Sequence, residues 1–199
     1  MTRKMTRKWI TLYIDFKSPY SYLALEPARQ LERDFPVTIE WRPYMFDIAN
    51  SFGDPDHRAP LEWRKIRYTY MDVRRWANQR GLIIYGPQKA FDSSLANIAM
   101  LHAQDQGVFP AYADMTYERF FKRALDIEDR DAVRAVLDQA GADTAAFFAF
   151  AAGAGRERLA RITAEADEQG VFGVPTFILD GELFWGHDRI ALLRERLYL

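Results

Sequence analysis

The first 43 residues set the tightest limit on the fold. Residues 9–16 (WITLYIDF) mix β-branched and aromatic side chains, as a buried strand does. Ser18 then offers an N-cap, and Pro19 presets φ for a first helical turn. A helix follows through Tyr22, Leu23, Leu25, Ala28 and Leu31, where Pro27 is expected to kink or tighten it, and Asp34-Phe35-Pro36 ends it. Residues 37–42 (VTIEWR) alternate like a second strand, stopped by Pro43. Strand, helix and strand within about 35 residues fit a parallel, right-handed crossover.

The chain then changes character. Residues 50–60 are polar with Gly and Pro and are expected to form a loop. Helical patterns follow at about 61–80, 93–106, 110–124, 129–140 and 143–152, with Asp92-Ser93-Ser94 and Pro110 as starts and Gly81, Gly107 and Gly141 as stops. The run DTAAFFAFAAGAG reads as one close-packed, buried helix. After a helix at about 155–169, the stretch GVPTFILDGELFWG gives two short strands joined by the hairpin signal Asp180-Gly181, and a last helix begins at His187-Asp188. The order β-α-β, helical block, α-β-β-α is that of an α/β thioredoxin-type core split by a helical insertion. The core is expected over residues 9–45 plus 155–199, the insertion over 46–154, and a basic tail over 1–8 (MTRKMTRK).

Composition narrows the function. With 49% hydrophobic and 15% aromatic residues in 199, the chain has ample material for a core. A net charge of -1 supplies no global field to recruit nucleic acid or an anionic membrane. No signal-peptide core or membrane-length apolar run is seen, so a soluble, cytoplasmic protein is expected. There is no cysteine, which excludes structural disulfides, a thiolate metal site and redox chemistry on the protein's own sulfur. No metal site is expected: Asp54-Pro55-Asp56-His57 has ligand residue types, but adjacent loop residues rarely converge on one ion.

Three stretches carry the chemistry. Ser18 falls at the carboxyl end of the first strand, where ligands collect in open α/β sheets, and its turn feeds a helix N-terminus suited to an anion. Val174-Pro175 opens a strand, and a cis bond there would turn the Val174 backbone towards the Ser18 turn, ready to pair with a peptide-like ligand. Gly186-His187-Asp188 starts another helix, with Asp188 available for an ammonium group. Such a pocket has an address that stabilises a thiolate but no thiol. A ligand that brings its own sulfur resolves this, and glutathione fits: one thiol, two carboxylates, one ammonium and two peptide bonds.

The stretches DFKSPYSYLA, KIRYTYMDVRRWA and GVFGVPTFILDGELFWGHDRI together resemble the 2-hydroxychromene-2-carboxylate isomerases, which belong with the kappa-class glutathione transferases and share the DsbA-like fold. The resemblance runs in order over nearly the whole chain. It implies a glutathione-dependent isomerase of bacterial aromatic degradation, a homodimer acting on a small aromatic carboxylate. In that mechanism a thiolate adds to an unsaturated carbon, the new single bond turns, and elimination returns the trans alkene. By the same resemblance Ser18 activates the thiol with Pro19 and Tyr20 beside it, and Lys65 reaches the cofactor. Val174, before Pro175, binds the cysteinyl backbone, and His187 and Asp188 hold the γ-glutamyl end. Two features depart from the family pattern: SFGDPDHRAP has Gly53-Asp54 where a Gly-Asn pair is usual, and position 187 is more often Ser or Gln.

Plainer readings stand beside these. Ser18 also serves as an N-cap, and Ser21 as a helix-face residue near the pocket. Lys65, among Arg64, Arg67 and Arg74, also fits a solvated helix face. His102 lies among apolar neighbours and reads as a packed core or interface histidine. Trp41, Arg42, Tyr44, Trp63 and Trp185 either line an aromatic-acid pocket or pack the core. Two alternatives to the isomerase remain open: a kappa-type glutathione transferase or peroxidase, and a non-catalytic thioredoxin-fold binding protein.

Overall fold

Residues 7–198 are described in a computed structural model; residues 1–6 of the expected tail and residue 199 lie outside the described residues. Strand β1 (Lys8–Ile14) feeds helix α1 (Pro19–Asp34), which returns to β2 (Val37–Pro43). The helical block follows: α2 (Ile48–Phe52), α3 (Pro60–Gln79), α4 (Ser94–Asp105), α5 (Phe109–Phe121), α6 (Arg130–Ala140) and α7 (Phe147–Ala152). Helix α8 (Ala154–Glu168), β3 (Thr176–Leu179), β4 (Glu182–Trp185), a 3-10 turn (His187–Arg189) and α9 (Ile190–Tyr198) complete the chain.

The sheet order is β2-β1-β3-β4. β1 pairs parallel with β2 (Ile10 opposite Ile39) and antiparallel with β3 (Leu12 opposite Phe177), and β3 pairs antiparallel with β4. Leu12, Tyr13 and Ile14 are all fully buried, which explains why β1 reads as a near-continuous apolar run: it is central and covered on both faces. The β3–β4 hairpin turns on Asp180 (φ 52°) and Gly181 (φ 81°), the paired left-handed conformations that a two-residue turn between twisted strands requires. This mixed four-stranded sheet with helices packed around it is the DsbA-like thioredoxin fold.

Several sequence expectations need correction. The basic tail does not extend to Lys8, which already pairs with Val37 in β1 and whose ammonium meets Asp180 at 2.7 Å. The strand ends at Ile14 rather than residue 16, because Asp15 turns the chain. The expected loop at 50–60 begins with the last residues of α2; only 53–59 is irregular, closed by the Glu62 carboxylate accepting the Ala59 N–H at 2.6 Å. The alanine-rich run is not one buried helix. It forms α7 and the start of α8, broken at Gly153 (φ -121°, ψ -107°).

Pro27 does not break α1, which runs through it. A proline supplies no N–H to the carbonyl four residues back, here that of Leu23. The Arg80 guanidinium, at the end of α3, donates to that carbonyl instead. Of the five candidate pocket residues, three belong to packing. Trp41 lies 5.5 Å from the ring of Phe109; Arg42 bridges Glu40 and Glu165; buried Tyr44 donates to Asp167 at 2.9 Å. Trp63 and Trp185 are half exposed, against Arg58 and Phe172. His102 is a packed histidine: its Nε2 lies 2.8 Å from the Asp143 carbonyl, and Phe147 and Phe150 flank the ring.

Candidate active site

The site begins where β1 stops. The Ser18 N–H donates to the Asp15 carbonyl at 3.0 Å, closing a tight turn over residues 15–18. Ser18 is the N-cap of α1 (φ -89°, ψ 116°), and Oγ accepts the Ser21 N–H at 3.2 Å. Its own proton points to the Val174 carbonyl, 3.4 Å away. That distance is near the long limit of a hydrogen bond, so the hydroxyl can redirect its proton to a ligand at small cost.

Beneath this turn lies a charged group that sequence reasoning passed over. Asp15 is completely buried. Its carboxylate accepts the N–H of Lys17 at 3.2 Å and of Phe46 at 3.0 Å, with the Asn97 amide at 3.5 Å. Its carbonyl also takes the Tyr117 hydroxyl at 3.2 Å, and its N–H donates to Ser21 Oγ at 3.4 Å. The Lys17 ammonium stands 3.6 Å from the carboxylate. A buried carboxylate persists only when paired and hydrogen-bonded, and these contacts fix the turn that aims Ser18. The signal was a lone Asp in the otherwise apolar run of residues 9–16.

The second wall is the cis Val174–Pro175 bond. Thr176 Oγ1 donates to the Gly173 carbonyl at 2.7 Å, and the Gly186 N–H to the Pro175 carbonyl at 2.9 Å, so the end of β4 is tied to this loop. Gly186 (φ 117°) turns the chain into the His187–Arg189 turn; a Cβ there would lie 2.5 Å from Asp188 Oδ1.

The third wall joins α1, α3 and this turn. The His187 ring stacks on Tyr20 (5.3 Å, 11°) and meets the edge of Trp76 (4.9 Å, 80°). The Tyr20 hydroxyl donates to Asp72 at 3.0 Å. Burial, then the Asp72 carboxylate, push the Tyr20 phenol upward, so it stays protonated and remains a donor. His187 is pushed below its ordinary value, first by burial and then by the Arg80 charge, against the pull of Asp188 and Asp72. It is 5% exposed, and its Nδ1 is buried without a hydrogen-bond partner among the described residues.

Ser18, Pro19, Tyr20, Val174, Pro175 and His187 therefore meet in one place. Asp188 adjoins them but is half exposed, and its carboxylate pairs with Arg189 at 3.0 Å. Lys65 is exposed on α3. It lies seven residues before Asp72, on the same helix face and about 10 Å along the axis. The stripe Lys65, Asp72, Trp76 thus runs from the second turn of α3 towards the site. Asp72 and Trp76 were not singled out in the sequence; the spacing of seven residues from Lys65 to Asp72 and four from Asp72 to Trp76 was the available signal.

A family model described as a DSBA-like thioredoxin domain matches residues 9–198. The chain is 34% identical to the 2-hydroxychromene-2-carboxylate isomerase of Sphingobium xenophagum, covering 96% of this chain and 98% of that protein. It is 30% identical to the protein of the same name from Pseudomonas putida, covering 94% and 93%. A solved structure of 2-hydroxychromene-2-carboxylate isomerase superposes with a TM-score of 0.80 at 27% identity, covering 96% and 94%. The chain belongs to the DSBA-like thioredoxin family, among the 2-hydroxychromene-2-carboxylate isomerases, and is an enzyme of the isomerase class.

Proposed function

We propose that the protein is a glutathione-dependent cis-trans isomerase of 2-hydroxychromene-2-carboxylate or a close aromatic analogue. The observation that carries this reading is a serine hydroxyl at a helix N-terminus, facing a cis-proline loop, in a chain with no cysteine. Bound glutathione would supply the thiol that adds to and leaves an unsaturated carbon of the substrate. The residues fit such a tripeptide: Ser18 and the α1 N-terminus favour an anionic sulfur, and the Val174 backbone offers peptide-like pairing. The orphaned His187 Nδ1 and the Asp188 carboxylate offer partners for the amino-acid end. Lys65, carried on the same α3 face as Asp72, is placed to approach from outside.

The protein's own work is positioning and electrostatics. Ser18 Oγ, already accepting from the Ser21 N–H, would donate a hydrogen bond to the thiolate and hold it in its anionic form. Tyr20 and Trp76 hold the His187 ring fixed. Conversion of the chromene carboxylate, followed by ultraviolet absorbance, should require added glutathione. Ser18→Ala should keep the fold, lose about 1 kcal/mol of capping stability, and lose turnover. Thiol-independent turnover, or full activity in Ser18→Ala, refutes the reading.

A further inference from the structure

We propose that Lys17 is a specificity-determining residue that binds the carboxylate of the substrate. The assignment rests on the isomerase reading for the ligand's identity, and on the following geometry for the site. Lys17 immediately precedes Ser18 in the closed 15–18 turn, so its chain leaves the backbone beside the candidate reaction centre. Its side chain is 10% exposed, an unusual environment for an ammonium. The charge is tolerated because Asp15 lies 3.6 Å away, yet that distance is an ion-pair contact rather than a hydrogen bond. Among the described residues no acceptor takes a hydrogen bond from the ammonium, leaving its donors for an incoming anion.

Asp15 is in turn occupied by the N–H groups of Lys17 and Phe46 and by Asn97, which hold it in place. These partners belong to the β2–α2 connection and to α4, on the helical-block side of Ser18. His187 and Asp188 come from the opposite, β4 side. The arrangement gives each anion its own place: a small aromatic acid on the Lys17 side, the peptide ligand on the cis-proline side. The neighbouring phenylalanine at position 16 is fully buried against Tyr112 and Tyr117, so the turn sends one side chain into the core and holds the other beside Asp15.

Chromone-2-carboxylate and its neutral carboxamide, as unreactive probes, separate charge recognition from turnover. By calorimetry the wild type should bind the acid about tenfold to a hundredfold more tightly than the amide, the range of a hydrogen bond to a charged group. Lys17→Met should abolish that preference and raise KM for the chromene substrate, while the Kd of glutathione stays unchanged. Lys17→Arg should retain the preference. If Lys17→Met does not fold because Asp15 is left unpaired, Asp15→Asn with Lys17→Met removes both charges and is titrated in its place. A wild type that binds both probes equally, or a folded Lys17→Met protein that keeps the acid preference, overturns the proposal. Loss of glutathione affinity in Lys17→Met overturns it too, by placing the lysine in the peptide site. Absence of glutathione-dependent turnover in the wild type strikes only the isomerase reading.

Discussion

Replacing Asp15 by alanine isolates what the buried carboxylate contributes. The side chain is fully buried and carries three kinds of partner: two backbone N–H groups, the Asn97 amide and the Lys17 ammonium. Its removal strands a nearly buried cation and orphans two backbone donors. Breaking a buried pair by removing one partner costs about 3–5 kcal/mol, and each orphaned buried donor adds to that burden. Asp15→Ala should therefore lose at least about 3 kcal/mol in urea unfolding, read as a lower midpoint at unchanged slope. Asp15→Asn keeps one acceptor and should lose less. Lys8→Ala is the control. The Lys8–Asp180 pair is closer, at 2.7 Å against 3.6 Å, but exposed at both ends, so its loss should cost about 0–1 kcal/mol. An Asp15→Ala protein no less stable than Lys8→Ala would refute the claim that this carboxylate anchors the Ser18 turn.

Three other outcomes follow from the packing. Arg80→Ala should destabilise the wild type by about 1–2 kcal/mol, because the Leu23 carbonyl has no other donor four residues on; in a Pro27→Ala background, where the helix supplies that N–H, a double-mutant cycle should show the cost shrinking. Phe177→Ala removes a fully buried ring from β3, opposite Leu12, and should cost about 3–5 kcal/mol in the same unfolding assay. His187 has a folded pKa below the ordinary 6.5, so between the two values the unfolded chain binds more protons. Its contribution should be complete above pH 6.5 and fall as pH drops through that window; His187→Gln should flatten this part of the stability profile, and an unchanged slope would count against a neutral, buried ring.

The strands and the order of elements along the chain were legible because strands, crossover and hairpin each leave a local mark: the apolar run of β1, Ser18-Pro19, and Asp180-Gly181. Pairing within the site was less so. Ser18 and Val174 could be matched because a proline opening a strand has few places to go. Asp15, Asp72 and Trp76 act through partners 31 to 111 positions away in the chain (Phe46 for Asp15, Tyr20 for Asp72, His187 for Trp76), and no periodicity announces such contacts. The same holds for Arg80 on Leu23. Pro27 reads as a break only in isolation; a tertiary donor removes the penalty. Gly153 ends α7 by its own backbone geometry, which an alanine-rich pattern masks.

The first turn of α1 shows why a hydroxyl suits this position. A helix start leaves its first N–H groups without intrahelical partners. Here the Ser18 N–H is taken by the Asp15 carbonyl, Pro19 has none, and the Ser21 N–H is taken by Ser18 Oγ. The Tyr20 N–H is the donor of that turn with no such acceptor among the described residues. An anion arriving at this end therefore meets one backbone N–H and one hydroxyl proton, and the hydroxyl is the stronger lever because the Ser21 N–H polarises it. The design separates two demands. Ser21 and Asp15 hold Ser18 in place at 3.2 and 3.0 Å, while the longer 3.4 Å bond to Val174 is the contact the proposed thiolate would replace.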